Sequence, residues 1–131
     1  MTLAPLLAAP MAVQVHAFAA MAAVVLGVVQ FAAPKGTVPH RALGWAWAGL
    51  MMLVAGSSFW VTGLAGEGRF SWIHGLSVLT LALVPLAVWA AVRGRVEAHR
   101  KAMGWIFVLA LLVTGGFTLL PGRVMHRVVF G

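Results

Sequence analysis

Four apolar stretches, each near the length that crosses a bilayer, constrain this chain more than any other feature. A spanning helix needs about 20 residues. The stretches run over about 10–33, 38–64, 70–92 and 97–120. Turn formers separate them: Pro34-Lys35-Gly36, Gly66-Glu67-Gly68-Arg69 and Arg93-Gly94-Arg95, with Leu120-Pro121-Gly122 after the last. Composition agrees. The chain is 63% apolar and 8% charged, against about 45–50% and about 25% in soluble domains. So few charges cannot coat a water-facing surface. The expected fold class is all-α: a polytopic membrane protein, one four-helix up-down-up-down bundle over residues 1–131 with a tail at 122–131. Thr37 is expected to N-cap the second helix, with Pro39 in its first turn, and Glu97 to open the fourth. The first stretch reads as a span and not a secretory signal, because no positive charge precedes it.

The residues that are missing narrow the chemistry. No cysteine means no disulfide, iron–sulfur cluster, thiolate zinc site or covalent c-type haem. Glu67 and Glu97 are the only acidic residues, which excludes a two-carboxylate hydrolase and an EF-hand. No phosphate-binding or dinucleotide glycine motif occurs. The net charge of +7 reads as a topology code and not as a nucleic-acid footprint. Lys35, Arg41, Arg93, Arg95, Arg100 and Lys101 fall on one side, and Arg69, Arg123 and Arg127 on the other. The richer side is expected in the cytoplasm, which leaves both termini outside. Trp45, Trp47, Trp89 and Trp105 then fall near the cytoplasmic edge, and Trp60 and Trp72 near the outer edge, as interfacial anchors.

The histidines repeat. His40-Arg41 precedes Gly44-Trp45, and His99-Arg100 precedes Gly104-Trp105. His16 lies 24 residues before His40, and His74 lies 25 before His99. This spacing suggests two repeated helical hairpins. His16 and His74 sit at matching depth, roughly 27–28 Å from the cytoplasmic edge. In a four-helix bundle their spans are diagonal, roughly 11–14 Å apart. Two imidazoles across that gap suit the iron of a haem b, and ionisable groups inside a membrane usually mark function. Arg69, on the same side, would pair with a haem propionate. The competing reading gives His16 and His74 a structural hydrogen bond across the bundle, to Ser57, Ser58 or Thr62. His40 and His99 form a second pair at the cytoplasmic boundary, as a second haem or metal site or as interfacial groups meeting lipid phosphate. Gln30 and Lys35 lie at that level and would join either site or a quinone head-group pocket. Small residues on the stripe His16, Ala20, Ala23, Gly27 and Gln30, and at Gly49, Gly56 and Gly63, make room for a macrocycle or for close helix packing. Met21, Met51, Met52 and Met103 read as packing and not as copper ligands. His126-Arg127, with Val124, Val128 and Val129, suggests a short amphipathic segment on the outer surface.

Several motifs together carry a family resemblance. They are Lys35-Gly36-Thr37 with His40-Arg41-x-x-Gly44, Ser58-Phe59-Trp60, Phe70-Ser71-Trp72-Ile73-His74, Ala98-His99-Arg100-x-x-Met103 and Leu120-Pro121-Gly122-Arg123-x-x-His126-Arg127. The chain resembles the small bacterial predicted membrane proteins filed as domain of unknown function 2306. The resemblance covers nearly the whole chain, and it implies a topology of four helices; with the charge pattern, the expected location is a bacterial inner membrane. The layout is also similar, at the level of architecture, to four-helix membrane cytochromes b such as the cytochrome b561 group. That similarity implies haem held by paired histidines and exchange of electrons with quinone or another redox partner. The expected function is a haem-b protein for electron transfer or haem handling, an oxidoreductase component embedded in lipid, in a homodimer or larger complex. The alternatives are a cofactor-free accessory or structural subunit and a small metal-handling or transport protein.

Overall fold

The computed structural model describes residues 1–61 and 72–131, with the side chains of all of these except residues 72 and 73. Among the described residues, regular structure is helical throughout. A short α1 (Ala4–Leu7) leads into α2 (Met11–Ala32). Then come α3 (Val38–Ser57), prolonged by a 3-10 turn (Ser58–Trp60), and α4 (Trp72–Val92). The fourth long helix, α5, covers Val96–Phe117, and α6 (Val124–Phe130) closes the chain. Met11–Ala32, Val38–Trp60, His74–Val92 and Val96–Phe117 are long and apolar enough to cross a membrane. At 19 to 23 residues each, they extend about 28–35 Å, close to the thickness of a hydrocarbon core. Their outward faces carry exposed Phe18, Val25, Leu86 and Leu112. Such surface is costly in water and matched by lipid.

Each turn has a local cause. Pro34 pushes Ala33 into an extended conformation, which ends α2. Lys35 folds back, and its Nζ donates to the carbonyls of Gln30, Phe31 and Ala33. These contacts satisfy acceptors that a helix C-terminus leaves open. Gly36 and Gly94 both take φ +76°, which turns the chain into α3 and α5 where a side chain would be strained. Thr37 caps α3 as expected, its Oγ1 accepting from His40 N at 3.2 Å. Glu97 sits in the first turn of α5. That helix widens to π register over Phe107–Val113, and Thr114 Oγ1 donates to Leu109 O at 3.0 Å across the widened turn.

Packing runs from α2 to α3, from α3 to α4, from α4 to α5 and from α5 back to α2. Cross-links along the first pair join Gln30 to His40, Ala23 to Trp47 and His16 to Ser57. Falling numbers on one helix meet rising numbers on the other, so α2 and α3 are antiparallel. The shared core contains Ala23, Trp47, Met51, Val84, Ala87, Phe107 and Leu111. Trp47 corrects the sequence expectation. It is only 5% exposed and is no boundary anchor. The small face at Ala23 and Gly27 admits the indole, whose Nε1 donates to Ala23 O at 3.0 Å. Trp45, Trp60, Trp89 and Trp105 are exposed, as anchors are; the Trp72 side chain lies outside the described set. The tail forms a short helix, and α6 packs on α1, with Thr2 N donating to Val128 O at 3.0 Å and both Leu6 and Val128 buried. Gln14 Nε2 ties this cap to α2 through the carbonyls of Leu7 and Ala9.

Candidate functional site

His16 lies in the second turn of α2, half-buried, with Nδ1 3.0 Å from Ser57 Oγ on α3. Ser57 is one of the three partners that the sequence suggested. Its hydroxyl donates back to Val54 O at 3.1 Å. With that proton directed at the carbonyl, His16 Nδ1 carries the imidazole proton and donates to Ser57 Oγ. The Val54 backbone also hydrogen-bonds the ring, and in this tautomer the lone pair lies on Nε2. This is the arrangement in which histidines bind metals: one nitrogen held by a partner, the other available.

His16 also lines a half-open cavity of about 480 Å³ bordered by α2, α3, α4, α5 and α6. Ligand pockets span about 300–1,000 Å³. The walls are mainly apolar, with Ala20, Val54 and Leu111 among them, and α6 contributes Met125. Among the described lining residues, His16 is the sole titratable group. Hydroxyls supply most of the remaining polarity. Ser58 Oγ and Ser77 Oγ are 2.6 Å apart. Thr80 donates to Leu76 O at 2.8 Å and Thr114 to Leu109 O. These threonine protons are spent on their own helices, so the site offers acceptors and an imidazole nitrogen more than donors.

Of the expected His16–His74 pair, His16 alone is among the residues that line the cavity. His74 is half-buried on α4, one turn before the cavity-lining Ser77, and its ring centroid is 5.7 Å from that of Phe59. It does not line the cavity. Met21, Met51 and Met125 do, which single-helix spacing did not reveal because they come from three different helices. Gly49 and Gly56 have open space where a Cβ would stand, whereas Gly27 is closely packed. Arg69, Thr62 and Gly63 lie outside the described residues.

At the other end of the α2–α3 pair stand His40 and Gln30. Gln30 Nε2 donates to His40 O at 2.8 Å. Two buried atoms there, Gln30 Oε1 and His40 Nδ1, have no partner. His99 and Lys35 lie within electrostatic reach of His40. His99 Nδ1 donates to Ala87 O at 2.8 Å, since a carbonyl can only accept. The ammonium of Lys35 is engaged by the carbonyls at the end of α2. His126 Nδ1 donates to Leu119 O at 2.7 Å and its ring packs on Phe130, so it helps to fold the tail. Among the described residues, no three of His, Cys, Asp and Glu gather as a metal-holding group.

The family described as predicted membrane protein (DUF2306) matches residues 13–128. The chain belongs to this family. In this DUF2306 chain the matched region begins just before His16 and ends inside α6, so it includes all four long helices and the cavity between them. No curated protein and no solved structure matches it.

Proposed function

We propose that this membrane protein binds haem b in the 480 Å³ cavity, with His16 Nε2 as an iron ligand. The observation that carries the reading is the held imidazole. Ser57 fixes His16 through Nδ1 and leaves Nε2 as a lone pair on a residue of an apolar, membrane-depth cavity. The cavity walls fit a flat apolar group, and burial there keeps the local dielectric low. Bound haem would supply one-electron redox chemistry, which the protein tunes through ligation and burial. His74 shares a helical face with the cavity-lining Ser77 and would be the second histidine to hold the group. In the up-down-up-down reading with the basic loops in the cytoplasm, the cavity lies toward the periplasmic side of a bacterial inner membrane. Arg69 would then be placed for a propionate, and a quinone or a redox protein would exchange the electron.

Absorption spectra test this. The protein, expressed with added haem precursor and purified in mild detergent, is expected to show a Soret band and sharp bands on dithionite reduction. His16→Ala is expected to lose the pigment. His74→Ala is expected to convert a six-coordinate spectrum to a five-coordinate one. A colourless protein, or a spectrum indifferent to His16→Ala, would overturn the proposal.

A further inference from the structure

We propose that His40, His99 and Gln30 form a second site, for a single divalent transition-metal ion of the Zn2+ class, at the end of the bundle opposite the cavity. Two buried ligand atoms point to an absent partner. Gln30 Oε1 and His40 Nδ1 are both without a hydrogen bond, although buried polar atoms are nearly always satisfied. The Gln30 amide is anchored at residue 40, because its Nε2 donates to the His40 backbone carbonyl at 2.8 Å. That bond also fixes the amide so that its oxygen, and not its nitrogen, is the free atom.

The third ligand comes from the other half of the chain. His99 donates Nδ1–H to Ala87 O, so its Nε2 bears the lone pair. A carbonyl partner on one ring nitrogen is the usual support of a metal-binding histidine. His99 lies close enough to His40 to influence it electrostatically. Two imidazole nitrogens and an amide oxygen, completed by water, suit a borderline ion such as Zn2+. The site does not depend on the cavity, whose walls include none of these three residues. It therefore stands or falls separately from haem binding. The Lys35 ammonium, which acts electrostatically on His40, opposes a dication there and weakens the site.

The test is a Zn2+ titration by calorimetry on tag-free protein in detergent, with Co2+ absorption reporting the ligands. One ion per chain is expected. His40→Ala and His99→Ala should each weaken binding by at least about tenfold, the scale seen even for outer partners of metal ligands. His126→Ala should leave it unchanged. In case a variant misfolds, 15N-histidine NMR of the unaltered chain gives a second reading. Zn2+ should shift the ring nitrogens of two of the five histidines. No saturable binding up to millimolar Zn2+ would overturn the site and leave a bridging water as the partner of the two free atoms. So would binding indifferent to both variants, or ring shifts at other histidines.

Discussion

Gly27→Ala probes the packing that brings α2, α3 and α5 together. A Cβ built on Gly27 would lie 2.6 Å from Phe107 Cδ2, closer still to Cε2, and 3.3 Å from Trp47 Nε1. Phe107 has little freedom to retreat, because its ring also meets Phe31 edge-on at 5.1 Å. Overpacking of this kind costs about 1–3 kcal/mol. Replacing glycine by alanine in a helix interior returns about 1 kcal/mol, so the net loss is about 0–2 kcal/mol. The single variant is therefore less informative than its coupling to Phe107. In a Phe107→Leu background the added methyl has room, and Gly27→Ala should become neutral or stabilising. Equilibrium unfolding in mixed micelles, followed by circular dichroism over the four chains of the cycle, measures this. The expected coupling falls within the about 0.5–3 kcal/mol found for residues in contact. A coupling of zero would refute the reasoning, since it would mean that Gly27 and Phe107 do not touch in the folded protein.

Other outcomes follow from single contacts and from the charge pattern. Trp47→Phe removes the buried bond to Ala23 O and should destabilise by about 0.5–1.5 kcal/mol, whereas Trp45→Phe on the exposed face should change little. Equal unfolding midpoints for the two variants would contradict the placement of Trp47 in the core. Because the chain has no cysteine, single cysteines report orientation directly. A membrane-impermeant thiol reagent added to intact cells should label Thr2→Cys and fail to label Lys101→Cys; the reverse pattern would invert the topology drawn from the basic residues.

The long helices were legible because a bilayer demands about 20 apolar residues in a row, and the sequence shows four such rows. Thr37 and Gly36 were legible for local reasons, a hydroxyl before a helix and a glycine at a turn. The His16–Ser57 bond was foreseeable as one of three choices, since both residues share a depth. Which way a side chain faces was not legible. Trp47 and Trp45 differ by two positions on one helix, about 200° of rotation, and only packing against the small Ala23–Gly27 face decides that Trp47 turns inward. The same rotational freedom separates His74 from the cavity that Ser77 lines. The α1–α6 cap was hidden because neither piece is long enough to announce itself as a helix. Convergence of three methionines on the His16 cavity is a tertiary fact that spacing along any one helix cannot encode.

The most direct measurement is the haem b content of the purified protein, determined by the pyridine haemochrome method and divided by chain concentration. One haem b per chain is predicted, held at the His16 cavity, with none at the His40–His99 end. A ratio of zero after expression with ample haem precursor would contradict the account at its centre, and a ratio of two would place haem where a bare metal ion is proposed.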